Sequence, residues 1–479
     1  MDGWFTVVHQ SHGSFLRDAV ALPERTETEK TVAELTQRLL DTTGRGLDLR
    51  EADLSGLDLS GLDLRGATLS RALLHGTRLV GADLTSVTMV CPGMERTDLS
   101  RAILRSAYVH ALASQTCNFD GADMTDLKDA TGTLFHGCSM RDVRLSGSQL
   151  AGAAFYQCDL SDSDLSRANL QGATINECML DGARLDEALL DQLTITKSSL
   201  RAASLARSSG RGVQLQRLTC ADELTLSGAG LPLLRLEGVN GRGLRADGLK
   251  APDADLVACS LTGADFTNAD LTNARMLRVT APGVLMPGAS LSGASVRRCD
   301  LHDASLVSAK GENLSIVESD LSGADLTAFT GRCMTVRDST MTRACLRGAN
   351  LYRAMLTGDP PKGMILAEAD LRGATLVQAY LAADLRRADL TSANCAYSRF
   401  SQSDLSGARL DGCNMYQSTW VKVVLVGASL AGVAAPVFAD RCKGLRESLE
   451  QANWPGAAEL GQFVERFDGV LASAAKGST

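Results

Sequence analysis

The side chains best suited to chemistry in this 479-residue chain are carboxylates and thiols at regular spacing. Between Leu47 and Leu84, Asp48, Asp53, Asp58, Asp63 and Asp83 fall on a five-residue grid. Paired carboxylates can act as general acid and base. Cys138, Cys158 and Cys178 stand twenty residues apart, and Cys117 stands twenty-one before Cys138. Such a row invites a metal or redox reading. His9 and His12 are three apart, whereas His75, His110, His136 and His302 are scattered. In each case the plainer reading prevails. The same Asp returns in unit after unit, which marks a repeat, and outward Asp side chains bond turn backbone. Cysteines stacked inside a narrow rod have no open face and pack as small hydrophobes. His9 and His12 sit in a turn-like stretch and read as surface or cap residues. The chain contains no phosphate-binding glycine loop, no GxSxG, no HExxH and no CxxC pair. It therefore reads as non-enzymatic, with no cofactor and no metal.

The elements that position these residues follow from the same grid. Leu recurs at Leu49, Leu54, Leu59, Leu64, Leu69, Leu74, Leu79 and Leu84. Two residues before each lies Leu47, Ala52, Leu57, Leu62, Ala67, Ala72, Thr77 or Ala82. A period of five matches neither a helix face nor an alternating strand, and a fixed short period signals a repeat architecture. Units such as ADLSG (52–56) and ADLTS (82–86) resemble the A-[DN]-L-x-x unit of the pentapeptide-repeat family. The resemblance covers about 380 residues. It implies an all-β solenoid, a right-handed quadrilateral β-helix with four pentapeptides per coil. The cysteine spacing of twenty gives the same coil size independently. With coils about 4.8 Å apart, this predicts about 19 coils and a rod on the order of 90 Å long.

Composition agrees. The chain is 44% hydrophobic but only 4% aromatic, which suits a thin core of small side chains. A net charge of −8 does not suggest direct nucleic-acid binding. Thirteen scattered cysteines and no signal-peptide pattern read as a reduced, cytoplasmic protein. The uncharged run Val423–Ala439 keeps the five-residue spacing at Leu425 and Leu430. It reads as the last coil and a helix start, not a membrane span.

Three parts follow. Residues 1–46 form an N-terminal cap with a short strand (4–8) and a helix (28–41). Residues 47–434 form the repeat. Its register slips by one residue between Leu134 and Met140, and again near 221–225. It shortens by one between Leu381 and Leu385. At Leu244/Ala246 and Leu249/Ala251 large and small residues trade places, and conserved volume keeps the coil running. Residues 358–363 contain two prolines and bulge out as a loop. Residues 435–479 form a C-terminal helical cap or interface, with Phe438, Cys442, Leu445 and Leu449 at helical spacing.

The resemblance implies two functional classes. A rigid rod with a head and tail suits a protein-interaction scaffold or adaptor, including an accessory part of a bacterial secretion system. Other family members mimic DNA, and bind and protect gyrase or topoisomerase IV, which requires a strongly negative surface. Residues 47–434 carry 43 acidic and 38 basic side chains, a net of only −5. The scaffold reading is therefore preferred, with protein partners. The candidate interface is the C-terminal set Phe438, Leu445, Leu449, Trp454, Leu460, Phe463, Val464, Phe467 and Leu471, where a homodimer is the leading form. Light scattering of the intact chain and of the double variant Phe463→Asp, Phe467→Asp tests this. A dimer that the double variant converts to a monomer is expected; a monomer in both cases removes the interface.

Overall fold

The computed structural model describes residues 45–359, 363–433 and 438–445, together with Ser448. From the second coil on, most pentapeptides bury two side chains. One is a large centre, such as Leu69; the other is a smaller residue two before it, such as Ala67. The three remaining residues point outward: a leading residue before the centre, a trailing residue after it, and a corner residue. The corner turns the chain through a left-handed backbone, at Gly56 (φ 72°) as at Arg71 (φ 60°). In most corners the next N–H closes the turn onto the centre's carbonyl, as Ala72 N to Leu69 O at 3.1 Å.

Four pentapeptides return the chain to the same side one level up. Parallel bridges therefore form four ladders, starting at Asp48, Asp53, Asp58 and Asp63, here called the first to fourth faces. On the second face three-residue strands replace single bridges. Eighteen strands, of three residues each except Tyr380–Leu381, stack in register from Gly93–Glu95 to Phe438–Asp440, hence seventeen turns of continuous ladder. Bridges Asp53 to Leu73 to Gly93 add two more levels. The fold is an all-β parallel solenoid, as the pentapeptide-repeat resemblance implies.

Register changes show where interior volume overrides simple spacing. The first extra residue lies between Met124 and Ala130, not between Leu134 and Met140 as expected: Phe135 takes the interior and Leu134 turns half outward. The larger ring fills the core and stacks on Phe155 at 5.0 Å. The second extra residue falls between Leu215 and Ala221, earlier than the expected 221–225, because Ala221 is the buried centre. The shortening between Leu381 and Leu385 is as expected, with Leu381 paired to Phe400 and Asp384 to Asp404. Met355 pairs with Tyr380, twenty-five residues on, so this coil carries five residues more than the others; the expected loop at 358–363 lies partly outside the described residues. The traded pairs Leu244/Ala246 and Leu249/Ala251 are all buried.

At the C-terminal end one expectation fails. Phe438 does not begin a helix; Phe438–Asp440 is a strand paired with Thr419–Val421, and Lys443 bridges Val424. The ladder thus runs past 434, because unpaired backbone on an open sheet edge is satisfied by another strand. Leu445 packs partly buried against the core. The cap at 1–44 and the candidate residues Leu449, Trp454, Leu460, Phe463, Val464, Phe467 and Leu471 lie outside the described residues.

A further size trade appears at Phe329. This ring fills a position normally given to Ala, while the adjacent centres are Gly311 and Gly331. A Cβ on Gly311 would lie 2.5 Å from the Phe329 ring, and one on Gly331 2.7 Å from it. Gly331→Leu alone is expected to destabilise by about 2 kcal/mol through overpacking. Phe329→Ala alone should cost about 3–5 kcal/mol through a cavity. Together they should recover at least about 1 kcal/mol relative to additivity in a denaturation double-mutant cycle; additive effects would refute the trade.

Candidate interaction surface

The backbone accounts for the Asp grid. The ladders use the N–H groups of the leading, centre and corner residues, as in Thr68 to Leu47 O, Leu69 to Thr88 O and Arg71 to Val90 O. The trailing N–H points outward without a backbone acceptor. Leading Asp side chains supply one: Ser55 N to Asp53 Oδ1 is 3.0 Å, Thr85 N to Asp83 3.0 Å, and Thr327 N to Asp325 2.9 Å. Elsewhere a trailing Asp reaches the coil above, as Arg242 N to Asp222 Oδ1 at 2.9 Å. Pro232, Pro252, Pro282 and Pro287 occupy trailing positions, where no donor is required. The Asp rows therefore hold turns.

The cysteines also serve the backbone. On the corner from second to third face, the coils that carry them lack the usual turn bond. Cys158 Sγ donates to Phe135 O (3.4 Å), Cys178 to Phe155 O (3.5 Å), Cys259 to Leu236 O (3.3 Å) and Cys299 to Met276 O (3.5 Å). The stranded N–H groups find partners one coil on, Cys158 N at Cys178 Sγ and Cys178 N at Ser198 Oγ. Cys117, Cys138, Cys158 and Cys178 thus stack in successive coils, each paired through the ladder. Burial pushes the Cys259 and Cys299 thiols up, favouring the donating form. No hydrogen-bond analysis of sequence alone exposes this role, although Thr77 (to Leu54 O, 2.8 Å) and Ser403 (to Leu381 O, 3.0 Å) share the column. Among the described residues, no group of three or more His, Cys, Asp or Glu is placed to hold a metal ion. No helix among them is long and apolar enough to cross a membrane.

With these groups committed to structure, the outward face chemistry remains. Charge is unevenly shared. Counting leading, trailing and corner residues with their face, the third face carries fifteen carboxylates and nine Lys or Arg, whereas the second carries eight and twelve. Many are paired across coils, such as Arg167 and Arg207 around Glu187 at 2.9 and 3.1 Å.

One stretch departs from this pattern. On the first face, five levels from Thr330 to Gln417 present no carboxylate at any outward position. The leading ladder is Thr330, Asn350, Thr375, Asn394 and Asn414. Asn350, Asn394 and Asn414 each accept the trailing N–H, at 3.2, 3.2 and 3.1 Å, as Asp does elsewhere. Tyr352 lies between Arg332 and Arg353, whose guanidinium carbons stand 5.4 and 5.3 Å from the ring centre. Gln378 Oε1 accepts from Tyr352 OH (3.0 Å) and Arg353 Nε (2.7 Å). Tyr397 and Tyr416, 49% and 53% exposed, meet edge to face at 5.6 Å. Around the corner, Arg399 covers Tyr380 at 5.7 Å. Four of the chain's six tyrosines are gathered here. Sequence reading centred on the C-terminal segment missed them; the signal was Asn in place of Asp at leading positions.

A family model described as pentapeptide repeats matches the chain in eight copies, over 48–85, 69–105, 131–167, 153–192, 248–284, 288–328 and 383–419. Among solved structures, a trypsin-treated form of QnrB1, a plasmid-mediated fluoroquinolone resistance protein, is 21% identical. It aligns over 43% of this chain and 90% of its own, with a TM-score of 0.22. HetL, a pentapeptide repeat protein involved in heterocyst differentiation regulation from the cyanobacterium Nostoc sp., is 24% identical over 59% of this chain and 95% of its own, with a TM-score of 0.16. Rfr23 from the cyanobacterium Cyanothece is 18% identical over 34% and 97%, with a TM-score of 0.14. No curated protein matches the chain.

The carboxylate role predicts a pH dependence. Burial raises Asp123, but the Thr125 hydroxyl, the Arg105 guanidinium at 2.6 Å and the Thr125 N–H outweigh it and hold the carboxyl below its usual range. Asp58, Asp120 and Asp129 are likewise depressed. A depressed folded value stabilises above the unfolded value of about 4, and the stabilisation is lost as pH falls through the folded values. Denaturant midpoints should therefore fall steadily below about pH 4, and less steeply in Asp123→Asn. Midpoints independent of pH there would contradict the assignment.

Proposed function

The chain belongs to the pentapeptide-repeat family, and we propose that it works as a non-enzymatic protein-interaction scaffold or adaptor. One observation supports this above all: the regular rows of Asp and of buried Cys are engaged in holding backbone. The carboxylate rows accept trailing N–H groups, and the thiol row donates to carbonyls. What the rod offers a partner is extended faces of differing composition, each continuous over many levels. Repeat solenoids recognise partners through such surfaces. Its place beside a bacterial secretion machine is the specific form of adaptor that the family suggests. A homodimer through the C-terminal segment remains the proposed self-association.

The second reading is a DNA mimic that binds gyrase or topoisomerase IV. The carboxylate excess on the third face favours it. The basic excess on the second face disfavours it, since a mimic of duplex DNA presents one sign of charge to a cationic groove. Two assays separate the readings. The purified chain should leave esters, peptides and nucleotides unhydrolysed, and should not alter gyrase supercoiling with or without a quinolone. Turnover abolished by a single polar substitution would overturn the non-enzymatic assignment. Clear supercoiling inhibition or drug protection would promote the mimic.

A further inference from the structure

We propose that the first-face strip from Thr330 to Gln417 docks a carboxylate-rich segment of a partner protein; this deepens the scaffold reading and rests on it. The argument begins from what the fold demands. A leading side chain must accept the trailing N–H, and both Asp and Asn can do so. At Asn350, Asn394 and Asn414 the acceptor is kept and the negative charge is absent. Asn also bonds along the face where Asp could not, Asn414 Nδ2 donating to Asn394 Oδ1 at 3.1 Å, and outward the choice removes negative charge from the field over the strip. An approaching carboxylate meets amides, hydroxyls and two guanidinium groups, and no like charge.

The cations are held ready for such a ligand. Arg332 and Arg353 lean on Tyr352 and have no ion pair among the described residues. Gln378 orients Arg353 through a neutral oxygen. Arginine held on an aromatic face keeps its donors for bidentate carboxylate recognition. Tyr397 and Tyr416 add exposed, stiff aromatic area, and Tyr, Arg and Asn together are the residues that interfaces favour as anchors.

Shape narrows the ligand class. The strip is flat except for a dimple of about 280 Å³ between Arg332, Asn350, Tyr352, Thr375 and Val377. That is smaller than ordinary small-molecule pockets and suits one inserted side chain. Five levels span about 20 Å, the length of about six extended residues. The face's own ladder uses its backbone groups, so recognition runs through side chains and not through strand addition. Two arginines and no lysine over this length are too few for a phosphate backbone, which favours an acidic peptide segment over single-stranded nucleic acid.

The test uses the full chain and three fluorescent probes: a short peptide alternating Glu and Leu, the same peptide with Gln for Glu, and oligothymidylate. Anisotropy should show the Glu peptide binding at least about tenfold more tightly than the Gln peptide, with the difference shrinking as salt rises. The double variant Arg332→Gln, Arg353→Gln should lose about tenfold for the Glu peptide. Arg101→Gln with Arg242→Gln, on the third face, should change nothing. Unchanged melting of the strip variant excludes misfolding, since both arginines are exposed. Equal or absent binding of the two peptides, or tighter binding of oligothymidylate, overturns the proposal. Photo-crosslinkers in cells replacing Thr375 on the strip and Ser161 on the third face separate the two levels of claim. Protein adducts at 375 support the strip; adducts at 161 alone overturn the strip and keep the scaffold. Adducts at neither withdraw the scaffold reading itself. A crosslink from 375 to a second copy of this chain would likewise overturn the partner assignment.

Discussion

In every pentapeptide the parallel ladders leave one backbone N–H, that of the trailing residue, facing water without a backbone acceptor. This small deficit is repeated at each unit and shapes the outer surface. It selects Asp, Asn or Ser beside the centre, because a short side chain there reaches the donor two residues on. It also admits proline at the same trailing position, as at Pro252 and Pro287. An exposed charged hydrogen bond of this kind is individually modest, but it acts at level after level and pins each turn. Catalytic carboxylates would require a departure from this pattern at one place; the Asp rows show the pattern itself.

The interior obeys a second constraint, the fixed volume between four faces. Two inward side chains per unit must fill it, and neither position has an absolute identity. Leu and Ala exchange places at 244–246 and 249–251, and Phe329 takes up the space released by two centre glycines. Close packing makes the sum matter more than the order. Cysteine, serine and threonine enter this column because each is small enough to fit and has a donor for a centre's carbonyl in the coil below, at Cys158 and Ser403 where the turn bond is missing and at Thr77 where it is kept. The thiol row is thus a packing solution and a hydrogen-bonding solution in the same atoms.

The repeat and its family resemblance made the architecture legible from sequence, the cysteine spacing gave the coil size, and the shortening before Leu385 was legible too. Register was less legible wherever two apolar residues were adjacent. Leu134 and Phe135 both fit a centre by hydropathy, and only the ring stack with Phe155 decides between them. Ala221 went unseen as a centre because it is small. Phe438 fell at helical spacing with Cys442 and Leu445, yet an in-register strand partner outweighs a local helical pattern. The interaction strip was invisible for a different reason. Its residues are spread over nearly ninety positions and meet only when coils of unequal length stack, with one step of twenty-five and another of nineteen.

Function in such a rod must be written in the positions that the fold leaves free. Centres are committed to the core, and leading residues are half committed to the trailing N–H. Asn and Asp both accept that N–H, but they differ in charge and in what else they bond, as where Asn414 Nδ2 donates to Asn394 Oδ1. Where the choice is Asp, salt bridges to Arg in the neighbouring coil follow, as at Arg409 and Asp389. Where it is Thr or Asn over consecutive levels of one face, Arg332 and Arg353 have no ion pair among the described residues and rest on the Tyr352 ring. The neutral acceptors, the guanidinium groups on Tyr352 and the exposed rings are then one arrangement. A change of a single atom type in the side chain, repeated at the coil period, converts a self-neutralising face into one that has unspent affinity for negative charge.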